Sequence, residues 1–197
     1  MNPIKGGPMK GRLVCGVLAA SAALVAQAAE VRPLIKAGID LGGDTIVTAN
    51  FVDGESRTIR GNEGAYFGGG MAIISAAKEW EYHLTLAYKF SLIDADNGDI
   101  EWTRVPLEAL AFYRFARVRV GGGLAYHMNP RLEGSGVVGG LDIRFKDALG
   151  AIVQVDWRIT ETVALGGRYT MLEYDAKEPA RGSAKSNGLG VAFSINF

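Results

Sequence analysis

The chain has 197 residues, and its 21 basic and 21 acidic side chains cancel at neutral pH. This balance offers no basic surface of the kind that binds nucleic acid. A single cysteine, Cys15, excludes a disulfide within the chain. The length suits one domain.

The first 29 residues have the composition of a secretory signal peptide. Its basic part contains Lys5, Lys10 and Arg12, and its apolar part is residues 13–25. Its cleavage site is residues 26–28, which read Ala-Gln-Ala. The apolar part is shorter than the roughly 20 residues that a membrane-spanning helix needs. We therefore predict a signal peptide over 1–29, removed after Ala28 or Ala29, and one domain over 30–197. Cleavage would remove Cys15 and leave 18 basic against 21 acidic residues, a net charge of −3.

The rest of the chain alternates between apolar and polar residues with the period of two that is typical of β-strands. The predicted strands are residues 34–51, 58–75, 80–93, 102–115, 118–128, 148–159, 163–175 and 188–197. No segment after the signal peptide has 18 consecutive apolar residues, so no membrane-spanning helix is predicted. The predicted fold class is all-β.

The connections between the predicted strands alternate in length. Short ones at 76–79, 116–117 and 160–162 separate longer ones at 94–101, 129–147 and 176–187. The first two strands exceed the roughly 9–11 residues that a membrane crossing needs, so we expect a protruding hairpin with its turn at Asp53-Gly54. Short turns on one side and long loops on the other are typical of an outer-membrane barrel. The pattern predicts an eight-stranded antiparallel transmembrane up-and-down β-barrel with both termini in the periplasm.

The polar face of each strand is predicted to line the interior. A secreted lipocalin-like barrel would alternate as well, but two features favour the membrane barrel. The polar faces are rich in small residues, which suit the narrow interior of eight strands, and aromatic residues gather near strand ends, as in membrane girdles. The predicted periplasmic girdle is Trp80, Tyr82, Tyr113, Phe115, Trp157 and Phe197; the predicted outer girdle is Tyr88, Phe90, Trp102, Tyr126 and Tyr174.

Charged and amide side chains on the polar faces predict an ion-pair network inside the barrel, because a buried charge needs a partner. The predicted members are Lys36, Asp40, Lys89, Arg104, Glu108, Arg114, Arg119, Gln154, Asp156 and Arg168. Such a network would fill the lumen, since eight strands leave no aqueous channel. The alternation is weaker in the fourth predicted strand and ambiguous in the second, around the glycines at 68–70.

The last predicted strand reads GLGVAFSINF, and its apolar face consists of Leu189, Val191, Phe193, Ile195 and Phe197. A final strand of this pattern that ends on phenylalanine resembles the closing strand of bacterial outer-membrane barrels. The chain is similar in architecture to the small-barrel family that includes the OmpA membrane domain, OmpX and OmpW.

This resemblance implies that the five apolar residues form an assembly signal, read by the barrel-assembly machinery after transport by periplasmic chaperones. It also implies a Gram-negative outer-membrane location, contact with lipid and lipopolysaccharide, and a structural or surface-interaction role. The expected protein is porin-like in architecture but without an open pore, and it is a monomer.

Two other functions remain open. The segment Tyr126-His127-Met128-Asn129 resembles the His-x-Ser-Asn segment of lipid A deacylases, but Asn129 stands where the nucleophilic serine belongs. Ser135 lies in a glycine-rich loop without a defined relation to His127. A carrier of small hydrophobic molecules would need an apolar portal into the lumen. No enzymatic activity and no cofactor are predicted, and His83 and His127 are too far apart to indicate a metal site.

Overall fold

Antiparallel strands follow one another around a closed cylinder. The structure, a computed structural model, describes residues 28–50, 56–94, 98–177 and 182–197. Its strands are β1 (Ala28–Gly42), β2 (Thr45–Asn50), β3 (Ser56–Arg60), β4 (Gly64–Ser75), β5 (Trp80–Ile93), β6 (Ile100–Arg114), β7 (Val118–Gly134), β8 (Asp142–Arg144), β9 (Ala148–Arg158), β10 (Val163–Met171), β11 (Glu173–Asp175), β12 (Ser183–Lys185) and β13 (Gly188–Asn196). A short 3-10 helix lies at Gly136–Val138. The barrel itself consists of β1, β4, β5, β6, β7, β9, β10 and β13, and the other strands lie in the connections.

The cylinder closes because the last barrel strand pairs with the first. The closing register runs from Leu34 opposite Asn196 to Gly42 opposite Gly188. On its other edge β1 pairs with β4, so both edges of β1 are hydrogen-bonded. Closure removes the open sheet edges that promote aggregation. The prediction of an all-β, eight-stranded antiparallel up-and-down barrel is confirmed.

The two ends of the barrel differ in their connections. One end, named the turn end here, carries the short turns at residues 76–79, 115–117 and 159–162. At this end the backbone N–H of Phe197 donates to the carbonyl oxygen of Pro33 over 3.0 Å. The opposite end, named the loop end, carries the long connections at residues 43–63, 94–99, 135–147 and 172–187. Long and short connections therefore alternate as predicted.

The first two predicted strands each break in two, so their predicted bounds are wrong. β2 and β3 leave the wall as a separate two-stranded sheet, which corresponds to the predicted protruding hairpin. The break follows from Gly42 and Gly43, whose φ values of 101° and 90° are rarely adopted by residues with a side chain. The predicted turn at Asp53-Gly54 lies outside the described residues.

β7 extends six residues beyond its predicted end, to Gly134, through a bulge at Asn129. Asn129 has a φ of 48°, which asparagine tolerates better than most residues. The pairing register with β6 shifts at this point. The carboxylate of Asp147 fixes the bulge, since it accepts the backbone N–H of Asn129 over 3.1 Å and the hydroxyl of Tyr126 over 2.9 Å. β7 thereby continues into the loop end, where it pairs with β8.

Side chains alternate between the interior and the outer surface, as β5 illustrates. Glu81, His83, Thr85, Ala87 and Lys89 are buried, whereas the residues between them are partly or fully exposed. The exposed outer side chains are largely apolar and include Ile35, Ile39, Leu41, Phe67, Leu86, Leu124, Leu149, Val153, Val155, Leu165, Leu189 and Val191. No helix in the described ranges is long and apolar enough to cross a membrane.

The described residues form two buried apolar clusters inside the cylinder. The larger one, named the loop cap, closes the loop end with Ile59, Ile93, Ile100, Trp102, Leu132, Phe145, Ala148, Leu172 and Tyr174. All four long connections or their flanking strands contribute to it. The smaller one, named the inner apolar cluster, consists of Leu110, Phe112, Ala125 and Ile152. Along β6 it lies between Glu108 and Arg114, so it separates two groups of charged side chains.

Candidate functional site

The interior holds all ten side chains that the sequence suggested for the lumen. Nine of them are at most 4% exposed, and the side chain of Arg114, at the turn end, is 9% exposed. Their contacts divide them into a central network and a turn-end network on either side of the inner apolar cluster, with Arg104 held beneath the loop cap.

Glu108 is the centre of the first network. The ammonium group of Lys36 lies 2.5 Å from Oε2 of Glu108, and Nη2 of Arg168 donates to Oε1 over 2.6 Å. Arg168 also donates from Nη1 to the hydroxyl of Tyr66 over 3.2 Å. A carboxylate removed from water requires such charge-assisted hydrogen bonds, because without them its desolvation is not compensated.

Asp40 extends the central network toward the loop end. Nζ of Lys89 donates to Oδ2 of Asp40 over 2.5 Å and to Oδ1 of Asn62 over 3.2 Å. Nε of Arg168 lies 3.8 Å from Oδ1 of Asp40, so Arg168 faces both carboxylates of the network. These contacts join side chains from four chain segments across the lumen.

The ring of Tyr66 lies among the three cations of the central network. The centroid is 5.2 Å from the guanidinium carbon of Arg168, and 5.8 Å and 6.0 Å from the Nζ atoms of Lys36 and Lys89. Cations at this distance are attracted by the face of an aromatic ring. Tyr66 and Asn62 were not predicted as lumen residues, because both fall within the predicted second strand, whose alternation was ambiguous.

The turn-end network is built around Arg119. Its Nε donates to Oδ2 of Asp156 over 2.7 Å, its Nη2 donates to the hydroxyl of Ser194 over 2.9 Å, and its Nη1 donates to Oε1 of Glu81. Nε2 of His83 lies 2.8 Å from the same oxygen of Glu81. Glu81 was not predicted, although it shares the inward parity of His83 and Lys89 on the same strand.

Arg104 lies directly beneath the loop cap and contacts Trp102. Its guanidinium carbon lies 5.0 Å from the ring centroid of Trp102, and its Nη2 donates to the carbonyl oxygen of Glu63. Trp102 in turn donates from Nε1 to the carbonyl oxygen of Gly61 over 3.2 Å. The base of the β2–β3 hairpin is therefore attached to the top of the lumen.

Trp102 and Tyr174 do not belong to an outer girdle, so their predicted place is wrong. Both are fully buried in the loop cap, where their rings meet edge to face with centroids 5.3 Å apart. Phe145 packs against Trp102 at 5.1 Å. The alternation of β6 brings Trp102 inside with Arg104, and the edge-to-face contacts are favourable for aromatic rings.

The outer surface carries the other aromatic residues predicted near the turn end. The rings of Trp80 and Tyr113 are 5.3 Å apart, and those of Tyr113 and Phe115 are 5.1 Å apart. Trp157 and Phe197 are more than half exposed. Toward the loop end, Tyr88 packs against Phe67 and Phe90 on the outer face, and Tyr126 is partly exposed.

The apolar residues of the final strand face outward. Leu189, Val191 and Phe197 are more than half exposed, Phe193 is exposed to a smaller extent, and Ile195 is partly exposed. The residues between them, including Ser194 and Asn196, point into the lumen.

His127 lies inside the barrel and does not meet a nucleophile in the described part of the chain. Its Nδ1 is 2.5 Å from the hydroxyl of Tyr174 in the loop cap. Ser135 is exposed at the loop end, where its hydroxyl accepts the backbone N–H of Asp99 over 3.1 Å. The bulge residue Asn129 is also exposed. Among the described residues, no group of three or more His, Cys, Asp and Glu side chains is arranged to hold a metal ion.

Arg131 and Asp142 form an exposed ion pair at the loop end. Nε of Arg131 donates to Oδ1 of Asp142 and Nη2 of Arg131 donates to Oδ2, both over 2.9 Å. Nη2 of Arg144 approaches the same carboxylate at 3.5 Å. The hydrogen bonds from Arg131 lower the pKa of Asp142 to about 2.

Fold and interior together define a class of protein: a closed eight-stranded antiparallel barrel with a charged interior and an apolar outer wall. The chain is similar in fold to solved small outer-membrane barrels, among them the following three. Neisserial surface protein A matches with 13% identity over 85% of this chain and 97% of its own, with a TM-score of 0.49. Ail of Yersinia pestis, solved with the heparin analogue sucrose octasulfate, matches with 11% identity over 84% and 96%, with a TM-score of 0.49. Outer membrane protein AlkL, solved in DMPC bilayers, matches with 14% identity over 85% and 90%, with a TM-score of 0.41.

At these identities the matches concern the fold alone. No protein-family model matches the chain, and the comparison with curated proteins finds no match.

Proposed function

We propose that the protein is an integral outer-membrane β-barrel of a Gram-negative bacterium with a structural or surface-interaction role. The observation that carries this proposal is the reversed polarity of the barrel, with charged side chains buried inside and aliphatic side chains exposed around the wall. Soluble monomers rarely expose a contiguous apolar patch of more than a few hundred Å². A lipid bilayer would remove these apolar side chains from water, whereas in solution they would stay exposed to it.

The same proposal includes a lumen that is closed to ions. Three layers across the lumen support it: the loop cap, the central network around Glu108 and the turn-end network around Arg119. The narrow interior of eight strands is filled by side chains of this size. No enzymatic role is proposed.

The loop end is proposed to face the outside, and the turn end with both termini to face the periplasm, after removal of residues 1–29. Long loops outside and short turns inside are the usual arrangement of bacterial outer-membrane barrels. Lipid and lipopolysaccharide would be the permanent neighbours of a monomeric barrel. Periplasmic chaperones and the barrel-assembly machinery would be its transient partners.

Membrane fractionation of cells that express the chain tests this proposal. We expect the protein in the outer-membrane fraction, extracted only by detergent, with folded and heat-denatured forms that migrate differently on gels. Reconstituted into planar bilayers, it should give no steady ion conductance. Recovery as a periplasmic protein without detergent would refute the membrane assignment, and a stable conductance would refute the closed lumen.

A further inference from the structure

Two arginines at the turn end converge on a single exposed carboxylate. Nη1 of Arg158 lies 3.5 Å from Oε2 of Glu161, and Nη2 of Arg114 lies 3.9 Å from the same oxygen. The arginine side chains are 11% and 9% exposed, whereas the side chain of Glu161 is 83% exposed. Both distances exceed that of a hydrogen bond. Glu161 therefore lies where two guanidinium groups meet, but it satisfies neither of them.

The two guanidinium groups are held in place by other contacts. Nη2 of Arg158 donates to the carbonyl oxygens of Phe115 and Ala116 over 3.0 Å and 2.5 Å. Nε of Arg114 lies 3.4 Å from Oε2 of Glu81. The position of the two cations consequently does not depend on Glu161.

Both arginines keep hydrogen-bonding capacity that the protein does not use. Among the described residues, the Nε atoms of Arg114 and Arg158 are buried without a hydrogen-bond partner, although Nε of Arg114 faces the carboxylate of Glu81 at 3.4 Å. A buried donor without a partner loses its hydration without compensation, so an additional acceptor that reaches it would be favourable.

Glu161 can move away without loss of the turn that carries it. The hydroxyl of Thr160 accepts the backbone N–H groups of Thr162 and Val163 over 3.2 Å and 2.9 Å, which closes the turn independently of the Glu161 side chain.

We infer that Arg114 and Arg158 form a binding site for a small oxyanion, with the Glu161 carboxylate as an internal competitor. A guanidinium group presents paired donors that match two oxygens of a carboxylate or a phosphate. An oxyanion that enters from the turn end would replace one loosely held oxygen with two or more at hydrogen-bond distance. Inorganic phosphate and a carboxylate group share this chemistry. The site stands apart from the proposed membrane function, because it is defined by side chains that a detergent-solubilised barrel retains.

Binding can be measured on the full barrel refolded in detergent, with the arginine Nε–Hε signals in NMR spectra as the readout. Inorganic phosphate and acetate are added in separate titrations at constant ionic strength. We expect saturable shifts at Arg114 and Arg158, and the anion with the lower dissociation constant identifies the preferred chemistry. Glu161→Gln should tighten binding about 1.4- to fivefold, since it removes a competing exposed ion pair.

Glu79→Gln is the matched control, because Glu79 is an exposed carboxylate in a different turn of the same end, at residues 76–79. It should leave the dissociation constant unchanged. The inference is overturned if neither anion gives a saturable shift in the wild type and Glu161→Gln, or if Glu79→Gln tightens binding as much as Glu161→Gln. Arg114→Gln should abolish the shift at Arg158; should this variant fail to fold, the comparison of Glu161→Gln with Glu79→Gln still decides.

Discussion

Glu108 is the residue on which the central network depends, because Lys36 and Arg168 both bind its carboxylate within 2.6 Å. Each cation would lose its nearest anionic partner if this one side chain were shortened. Breaking a buried ion pair from one side is costly, since the remaining charge stays buried without compensation.

Glu108→Ala should therefore lower the free energy of unfolding by about 3–5 kcal/mol. The measurement is urea unfolding of the refolded barrel in detergent. Glu133→Ala is the control, because Glu133 pairs with Arg131 at the exposed loop end and its loss should change stability by less than about 0.5 kcal/mol. Equal unfolding midpoints for Glu108→Ala and the wild type would show that Glu108 does not hold the interior together.

Residue parity along a strand predicted which side chains enter the barrel, but not what they meet there. Lys36, Lys89 and Arg168 could be assigned to the interior from alternation alone. Their partners could not, because the contacts between Arg168 and Glu108 or between Lys89 and Asp40 cross the lumen between strands that are not neighbours. A lumen contact depends on strand tilt and stagger, which a sequence pattern does not encode.

A second residue-scale prediction concerns pH. The pKa of Asp142 is lowered to about 2 by Arg131, so the ion pair contributes fully above the ordinary value of 3.8 and is lost as the pH falls through about 2. Arg131→Gln should raise this pKa toward 3.8, whereas Arg144→Gln should raise it less, because its contact with Asp142 is longer. An NMR titration of the carboxyl carbon measures the shift. A larger effect of Arg144→Gln would show that the cause has been assigned to the wrong arginine.

At the scale of elements, the glycine triplet of β4 acts through its inward members. A Cβ atom on Gly70 would collide with the carbonyl oxygen of Leu84 on β5, whereas a Cβ on the outward Gly69 would meet only the carbonyl oxygen of Leu34, at 3.5 Å. The two neighbouring glycines thus differ in the space available and not in the strand they occupy.

Gly70→Ala should destabilise the barrel by about 1–3 kcal/mol, because β4 and β5 must move apart to admit the methyl group. Gly69→Ala should unfold close to the wild-type midpoint. Both variants are compared by urea unfolding in detergent. If the two lose the same stability, the close approach of β4 and β5 at Gly70 is not what requires glycine.

Strand bounds at the short turns were predicted to within one residue, whereas those at the loop end were in part exact and in part wrong. β5 matches its prediction at both ends, but the wall separates from the β2–β3 hairpin inside what the sequence suggested was one strand. Alternation continues across Gly42–Gly43 into the hairpin, so the period alone could not show where the wall ends. For the same reason the alternation did not predict the burial of Trp102 and Tyr174. Apolar side chains face inward at the loop end, whereas in the wall they face outward.

At the scale of the whole molecule, Phe197 allows stability and assembly to be measured separately. Its side chain is 63% exposed on the outer wall at the turn end. Full burial of a phenylalanine side chain is worth only about 1.5–3 kcal/mol, so Phe197→Ala should change the stability of the closed barrel little. If the residue is part of an assembly signal, the same variant should strongly reduce the amount of barrel in the outer membrane.

Phe67→Ala is the matched control for Phe197→Ala. Phe67 is a similarly exposed phenylalanine on the outer face of β4, far from the final residue, so it tests lost lipid contact alone. Outer-membrane yield in cells and unfolding of refolded protein in detergent are measured for both variants. Normal yield for Phe197→Ala, or an equal loss for both variants, would contradict the assembly signal.

The hydrogen bond between Phe197 and Pro33 has a topological consequence. Leu34 lies opposite Asn196 at the turn end. β1 and β13 therefore meet there in the same way as two strands that are joined by a turn. A covalent link between them and a new opening within residues 76–79 would give a circular permutant with the same set of strand pairs. Such a permutant would begin with β5 and end with β4, so its final strand would lack the terminal phenylalanine. The permutant would thus keep the strand pairs of the cylinder and change only the order of the strands along the chain. Cylinder geometry and strand order are therefore independent properties.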